Sequence, residues 1–418
     1  MRTRHRTAVS VVAAVLALGA AAPLLTAAPA AAVTQERHDS DRYRGTLLDH
    51  ERLYSLGDAD DAAAELTAAG FDGGVARYGV DAYRLEYRTV DAYGRPTVAS
   101  GLLAVPRGRH GALTAVSFTH GTGVSREDAP SMLRGDFVSA STISYAAAGF
   151  AGVAPDYLGM GTGPGFHPWM DVPSETTATI DMLRAAREFL RHTGHPLRRD
   201  VMVTGFSQGA SAAIGVARAL QAGEDRWFRA AALAPVSGAY AFRDAELPAL
   251  FDGRVHPKYS VLYMAYLFVS LNRQHGGIYD DPAEIFREPY AATVETLYDG
   301  DHSGAEVMAS TPDSLDELLT EAGMDLLRSP SGTFAELLAG TDAVCADWVP
   351  EMPMRLYQAR GDEQAVTENT AACRADLAAS GARVPVFDLG EVDYEGSRHL
   401  GSAAAAIRPT IAWFRSLS

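Results

Sequence analysis

Residues 201–210, VMVTGFSQGA, place one serine between two glycines at the end of an apolar run. The apolar run is typical of a buried strand, and the small residues after Gly209 are typical of a helix. Glycines on both sides of Ser207 leave room for a sharp turn, which lifts the serine hydroxyl above the strand ends. The segment therefore predicts a nucleophile elbow. The alternative is a strand–helix junction in which Gly205 and Gly209 serve packing alone.

A serine nucleophile requires a general base, and the base requires an acid that orients it. His399 follows a late apolar run and directly precedes the last helical pattern, so the sequence predicts it as the base. The acid is expected after an earlier apolar run, where Asp362 and Glu363 are adjacent. We predict Asp362, because the residue directly after the turn glycine is the usual one. Glu363 is the alternative.

Backbone N–H groups close to the serine would stabilise the oxyanion of an acyl-transfer reaction. The N–H of Gln208, at the predicted helix start, is the first candidate donor. The second is the N–H of Thr122, in the glycine-rich segment 119–123, THGTG, which follows another apolar run. Glycines allow the backbone to approach a substrate oxygen closely. A simple glycine turn is the alternative interpretation of this segment.

The elements that would position these residues are short apolar runs alternating with helical patterns. Residues 82–90 and 97–105, joined by turn residues, predict a β-hairpin. Further strands are predicted at 113–118, 149–154, 201–204, 228–236, 354–359 and 384–389, and helices at 174–193, with Ser174 as N-cap, 208–221 and 401–416. This alternation predicts an α/β fold with a mostly parallel central sheet and helices on both faces.

Residues 241–345 interrupt the alternation with helical patterns, and a structureless loop of that length is uncommon inside a compact domain. We predict an inserted helical cap, or lid, between two parts of the core at 81–240 and 346–418. The aromatic stretch 259–268, YSVLYMAYLF, cannot turn all its rings to one side of a helix. We expect part of it to cover the serine, with Tyr157 and Trp169 completing the pocket wall as substrate-binding residues. The alternative is that the stretch forms only the core of the insertion.

The N-terminus predicts export. Residues 1–32 combine three arginines, an apolar stretch and a run of alanines ending at Ala32. This pattern is typical of a Sec-type signal peptide cleaved near Ala32, and the alternative is an uncleaved membrane anchor. Residues 33–80 are polar and predict an N-terminal arm. The mature protein is therefore expected to be secreted.

Composition limits the partners. The formal net charge is −16, and removing the three arginines of residues 1–32 changes it to −19, which disfavours nucleic acid and anionic membranes as partners. No later apolar stretch approaches membrane-spanning length, so no integral membrane segment is expected after signal removal. No metal-ligand spacing or phosphate-binding glycine loop occurs, so we expect no cofactor and no metal. Cys345 and Cys373 are expected to form a disulfide in an oxidising compartment, with two separate buried thiols as the alternative.

Five segments in this order resemble the secretory lipase family of the α/β-hydrolase superfamily, which includes fungal lipase A-type enzymes. They are HGTG (120–123), PDYLGMG (155–161), GFSQG (205–209), DWVPEMP (347–353) and GDEQAV (361–366). The resemblance implies a secreted serine lipase or esterase with Ser207, Asp362 and His399 as its triad and a small-molecule or lipid ester as substrate. A peptidase or amidase on the same scaffold is the alternative enzyme, and a binding protein that has lost activity is the alternative outside enzymes.

Overall fold

Nine strands form one sheet in the computed structural model, which describes residues 43–418. The strands are Leu47–Leu56 (β1), Val80–Val90 (β2), Pro96–Pro106 (β3), Leu113–Thr119 (β4), Ala151–Pro155 (β5), Leu197–Phe206 (β6), Arg229–Val236 (β7), Leu356–Gln358 (β8) and Val386–Asp388 (β9). Their order across the sheet is β1-β2-β3-β5-β4-β6-β7-β8-β9. Neighbours are antiparallel from β1 to β5 and parallel from β5 to β9. The predicted mostly parallel α/β sheet is confirmed.

Helices cover both faces of the sheet. Those of the core are Ala59–Ala68 (α1), Phe137–Ala147 (α2), Val172–His192 (α3) and Gln208–Gln221 (α4) before the insertion. The insertion contains Leu247–Phe251 (α5), Pro257–His275 (α6), Val294–Leu297 (α7), Gly304–Ser310 (α8), Leu315–Leu318 (α9), Glu321–Arg328 (α10) and Gly332–Asp342 (α11), and the core resumes with Thr367–Ala379 (α12) and Arg398–Leu417 (α13). None of the helices within residues 43–418 is long and apolar enough to span a membrane.

Successive residues of the central strands are buried on opposite faces. Val201 and Val203 of β6 pack with α3 and α4, whereas Met202 between them packs with α2 and α13. All three side chains are 0–1% exposed. A strand that is buried on both faces needs an unbroken apolar run, and the sequence VMV before the elbow supplies it.

The hairpin predicted at 82–90 and 97–105 is present as β2 and β3. The predicted arm, residues 33–80, is described from residue 43, and this part is not an arm. Leu47–Leu56 pairs antiparallel with β2 and forms the edge of the sheet. The sequence LLDHERLYSL does not predict this strand, because its middle residues are polar and lack apolar alternation. In the structure these middle residues are exposed. The predicted signal peptide, residues 1–32, lies outside the described residues.

Helix α3 begins two residues before the predicted start, and its N-cap is Asp171 instead of Ser174. The Asp171 carboxylate accepts the Ser174 N–H at 3.1 Å. Pro173 stands in the first turn, a position that proline favours because no N–H is needed there. Asp171, two residues before Pro173, therefore marks the start of the helix.

The insertion between β7 and β8 packs around an apolar cluster in which the Phe268 ring lies 5.1 Å from that of Phe334. Val124, Trp169 and Met170 of the main core join this cluster. Val344 and Cys345, at the end of the predicted cap, pack with the main core instead. A disulfide joins Cys345 to Cys373 of α12, in agreement with the predicted bridge and not with two separate thiols. The last part of the insertion is thus tied covalently to the core.

Candidate active site

Ser207 occupies the sharp turn between β6 and α4 in a strained backbone conformation, with φ 56° and ψ −124°. The flanking glycines are required by close backbone contacts. A Cβ atom at Gly205 would lie 2.1 Å from the carbonyl oxygen of Gly209, and one at Gly209 would lie 2.1 Å from the carbonyl oxygen of Thr119. The turn therefore tolerates neither side chain, and the close packing of the two glycines is part of the same turn that positions Ser207.

The three predicted triad residues lie in one hydrogen-bonded line. His399 Nε2 is 2.9 Å from Ser207 Oγ, and His399 Nδ1 is 2.9 Å from Asp362 Oδ2. Asp362 Oδ1 accepts the N–H groups of Gln364 and Ala365, which fix the carboxylate. Both the histidine and the aspartate are buried, with 1% and 5% of their surface exposed. This geometry allows a neutral His399 to take the serine proton while Asp362 holds the ring.

His399 does not lie in a loop before the last helix, as the sequence suggested, but in the first turn of α13. Ser397 caps this helix, and its Oγ accepts the Leu400 N–H at 3.2 Å. The sequence pattern predicted the start of this helix at residue 401, three residues late, because glycine and alanine at 401–406 dominate the helical pattern. The histidine therefore stands on a rigid element.

Glu363, the alternative acid, holds the start of α13 and not the imidazole ring. Its carboxylate accepts the Ser397 hydroxyl at 2.5 Å and the N–H groups of Arg398 and His399 at 3.1 and 3.4 Å. A carboxylate at a helix N-terminus satisfies free N–H groups and interacts favourably with the helix dipole. Adjacent acids in the sequence thus have separate partners in the structure.

The two predicted oxyanion donors lie beside Ser207, at the start of α4 and in the loop after β4. Within the described part of the chain, the N–H groups of Gln208 and Thr122 donate to no other residue. The Thr122 hydroxyl accepts the indole N–H of Trp169 at 2.9 Å, which holds this loop in place. Two unused N–H groups beside a nucleophile are suited to a developing oxyanion.

A narrow cavity of about 30 Å³ adjoins Ser207. Its wall combines residues from the core, including Thr122, Gln208 and Trp169, with residues of the insertion and of the loop after β8; those are Phe242, Glu246, Leu250, Val255, Tyr263, Met264, Gln364 and Ala365. A larger cavity of about 620 Å³ lies between α3 and α4 and includes none of the triad residues. Of these two cavities, the smaller one, which residues of the insertion line in part, is therefore the one that adjoins the predicted nucleophile.

Residues of the aromatic stretch of α6 lie both at the cavity and in the core of the insertion. Tyr263 and Met264 line the cavity at Ser207, and the Tyr263 ring stacks on Trp169 at 6.0 Å. Leu267 and Phe268, one turn further along the helix, are buried in the core of the insertion. One turn of the stretch thus faces the nucleophile, and the rest holds the cap together.

Tyr157, predicted in the pocket wall, is not brought to the cavity. It is fully buried beneath the loop after β4, and its hydroxyl donates to the carbonyl oxygen of His120 at 3.0 Å. Its ring stacks on that of His120 at 4.2 Å. An aromatic residue after a strand end can face the ligand or the supporting layer, and the sequence pattern does not distinguish the two. Of the two predicted substrate-binding residues, the structure brings Trp169 alone to the site.

Solved structures are similar to this chain over most of its length. The rice cell wall degrading esterase LipA from Xanthomonas oryzae is 27% identical and matches with a TM-score of 0.75 over 89% of this chain and 98% of that chain. The chain has the α/β-hydrolase fold. Both this predicted fold and the predicted resemblance to lipases and esterases of the superfamily are confirmed.

More distant α/β-hydrolases match as well. A putative hydrolase from Legionella pneumophila is 22% identical, with a TM-score of 0.77 over 89% of this chain and 98% of that chain. Candida antarctica lipase A is 15% identical, with a TM-score of 0.60 over 84% of this chain and 78% of that chain. No protein-family model and no curated protein matches the sequence.

In this hydrolase, a buried polar cluster behind the elbow holds the side chain of Gln208. Its amide nitrogen donates to Glu175 Oε1 at 2.6 Å and to His167 Nε2 at 2.8 Å. Burial lowers the pKa of His167 to about 3, so the ring is neutral, and its Nδ1–H donates to the carbonyl oxygen of Leu158. Burial raises the pKa of Glu175 to about 8. The cluster fixes the residue whose backbone N–H adjoins Ser207.

The sequence pattern predicted neither this cluster nor the role of Glu363. Glu175 stands in the first turn of α3, where an acidic residue is favoured by its position alone, so the sequence carries no signal that its side chain is buried. Within residues 43–418, no group of three or more histidine, cysteine, aspartate or glutamate side chains is arranged to hold a metal ion.

Proposed function

We propose that the protein is a secreted serine hydrolase that cleaves carboxylic esters through an acyl-enzyme on Ser207. The observation that carries this proposal is the line from Ser207 Oγ through His399 to Asp362, with both contacts of the imidazole at 2.9 Å. The elbow and the two unused N–H groups beside it support the same reaction.

The proposed reaction begins when His399 Nε2 takes the proton of the Ser207 hydroxyl and Oγ attacks the ester carbonyl carbon. The N–H groups of Gln208 and Thr122 donate to the oxyanion of the tetrahedral intermediate. The intermediate then expels the alcohol, which receives the proton from His399, and leaves the acyl group on Ser207. A water molecule, deprotonated by the same nitrogen, releases the acid.

Ester substrates are favoured over peptides by the wall of the cavity. Phe242, Leu250, Val255 and Met264 are apolar, and no lysine or arginine lines the cavity within the described residues. Hydrolysis of esters by LipA from Xanthomonas oryzae, the 27% identical structure, supports the same choice. Export is supported by the disulfide Cys345–Cys373, because disulfides persist in oxidising compartments.

The proposal is tested with the Ser207→Ala variant, labelled with a fluorophosphonate and assayed on a chain-length series of p-nitrophenyl esters. We expect a folded protein without label whose turnover falls about 10⁴-fold. Ser211→Ala is the matched control, since Ser211 lies one turn along α4 and its buried hydroxyl has no hydrogen-bond partner within the described residues. Retention of a tenth of the activity by Ser207→Ala would exclude the acyl-enzyme, and faster cleavage of a dipeptide anilide would favour an amidase.

A further inference from the structure

The cavity at Ser207 contains a buried carboxyl group that the triad does not use. Glu246 ends the π-helical turn Phe242–Glu246, at the entrance of the chain into the insertion, and is 3% exposed. It lines the cavity together with Ser207 and Gln208. An acid so close to the nucleophile, and outside the proposed mechanism, requires an explanation.

One oxygen of this carboxyl group is occupied and the other is not. Glu246 Oε2 accepts the side-chain N–H of Asn369 at 2.8 Å and the backbone N–H of Val366 at 3.3 Å. Glu246 Oε1 is buried and has no hydrogen-bond partner among residues 43–418. Since buried polar atoms are nearly always hydrogen-bonded, Oε1 is available for a group that the cavity receives from outside.

The remaining polar side chains above the nucleophile are already paired. The Tyr263 hydroxyl donates to Gln364 Oε1 at 2.6 Å, and the Thr122 hydroxyl accepts the Trp169 indole N–H. Gln208 Oε1 also has no partner within the described residues, but its side chain is held behind the elbow by Glu175 and His167. Among the described side chains above the nucleophile, Glu246 Oε1 is therefore the free polar atom that could recognise the body of a substrate, as distinct from its reacting carbonyl group.

The protonation state decides what Oε1 offers. Burial raises the pKa of Glu246 to about 8, against the opposing effect of the Asn369 and Val366 hydrogen bonds. Among the charged groups nearby, Asp362 of the triad favours the protonated form, and Arg254 of the insertion, itself paired with Glu368 of α12, favours the ionised form. Because Oε2 already accepts two N–H groups, the proton is placed on Oε1. At neutral pH this atom is a hydrogen-bond donor.

We propose that Glu246 is a specificity-determining residue whose Oε1–H donates a hydrogen bond to an uncharged acceptor oxygen, an ether or a hydroxyl, on the substrate. The inference rests on the proposed ester hydrolysis at Ser207 and names the substrate class. The enzyme prefers esters that carry such an oxygen over hydrocarbon esters of the same length, and it disfavours esters that carry a carboxylate.

A purely structural role for Glu246 predicts a different outcome, and Asp342 allows the two to be separated. The Asp342 carboxylate accepts the N–H groups of Phe242 and Arg243 at 2.5 and 3.0 Å, so it holds the same turn from the other side. It does not line the cavity at Ser207. A change at Asp342 loosens the turn without removing the proposed donor.

The experiment compares two p-nitrophenyl esters of equal chain length, the 3-methoxypropanoate and the pentanoate, which differ by one ether oxygen. The measured quantity is the ratio of their kcat/KM values, after division by the ratio of their hydroxide-catalysed rates. We expect the wild-type protein at pH 6.5 to prefer the ether by about five- to tenfold, as one hydrogen bond allows. Glu246→Leu abolishes this preference, and Glu246→Gln retains it, because the amide N–H replaces the carboxyl O–H. Asp342→Asn keeps it as well.

The pH dependence provides a second measurement that does not depend on the folding of Glu246→Leu. Between pH 6.5 and 9.5 the wild-type preference falls as Glu246 ionises and loses its donor, whereas the preference of Glu246→Gln stays constant. The proposal is overturned if the wild-type ratio is independent of pH, if Glu246→Leu keeps the preference, or if Asp342→Asn loses it equally. Failure of the proposed function has a separate signature, in which Ser207→Ala hydrolyses both esters as fast as the wild type.

Discussion

Two adjacent carboxylates support the histidine in different ways at the scale of single residues. Asp362 contacts the His399 ring, and Glu363 contacts the backbone that carries it. A group on the ring fixes the tautomer and stabilises the imidazolium, whereas a group on the helix start fixes only the position of the residue. The two acids therefore affect catalysis to different extents.

We predict that Asp362→Asn lowers kcat by about 10⁴-fold, because an amide presents the wrong partner to Nδ1–H. Glu363→Gln is expected to lower kcat by about tenfold or less and to reduce the unfolding free energy by about 1 kcal/mol, as for the loss of a helix cap. Steady-state kinetics and urea unfolding of both variants measure the difference. The opposite ranking would make Glu363 the triad acid.

Gly209, in the turn that carries Ser207, leads to a second prediction at the scale of single residues. In Gly209→Ala the new methyl group meets the Thr119 and His120 carbonyl oxygens at 2.1 and 2.4 Å, which are backbone atoms that cannot rotate away. We expect a loss of about 2–3 kcal/mol in unfolding free energy and a large fall in kcat. Gly340→Ala, in the exposed part of α11 where a Cβ meets nothing within 4 Å, is the control and stabilises by about 0.5–1 kcal/mol. Equal stability of the two variants in urea unfolding would contradict the steric argument.

At the scale of elements, glycine and apolar runs predicted the strand–elbow–helix unit well. The helix at 208–221 has the predicted bounds, because Gly205 and Gly209 mark a turn that backbone geometry dictates. Strand β1 and the position of Tyr157 were not predictable in this way. A polar edge strand lacks the period of two, and the side to which a buried tyrosine turns depends on neighbours that are distant in sequence.

Helix α3 and the elbow are coupled through Glu175, whose pKa burial raises to about 8. In the unfolded chain a glutamate has a pKa of about 4.3, so between these values the folded protein binds one proton more. The contribution of Glu175 to the unfolding free energy is therefore most favourable below pH 4.3, and this contribution is lost as the pH rises towards 8. We predict that Glu175→Gln flattens this decline, so that the melting temperature falls less between pH 5 and pH 8 than in the wild type. If the melting temperatures of the two proteins instead change equally between pH 5 and pH 8, Glu175 is ionised in the folded state.

At the scale of the whole molecule, the insertion and the core meet at Ser207. The cavity of about 30 Å³ has room for about two water molecules, so the described conformation leaves no room for a long acyl chain. Tyr263 of α6 is hydrogen-bonded to Gln364, two residues after Asp362, so the insertion contacts the loop that carries Asp362 directly. Movement of the cap would break this contact and open the cavity.

The disulfide limits how far the end of the insertion can move, because it joins Cys345 to α12 across 28 residues of chain. That segment contains β8 and the loop with Asp362, so the bond encloses part of the active site. Closing a loop of this length restricts the unfolded chain and stabilises the fold by about 3–4 kcal/mol in the chain-entropy model.

We predict that a reducing agent lowers the melting temperature of the wild-type protein by several degrees and leaves that of the double variant Cys345→Ser/Cys373→Ser unchanged. The double variant melts at the temperature of the reduced wild type, since both lack the same constraint on the unfolded chain. Scanning calorimetry of the four samples measures these values. Thiol titration confirms that the reductant concentration used opens the bond. If the wild-type protein then melts at the same temperature with and without reductant, the bridge adds nothing to stability. In the expected case, protein produced in a reducing cytoplasm is less stable than protein in which the disulfide has formed, and the difference disappears in the double variant.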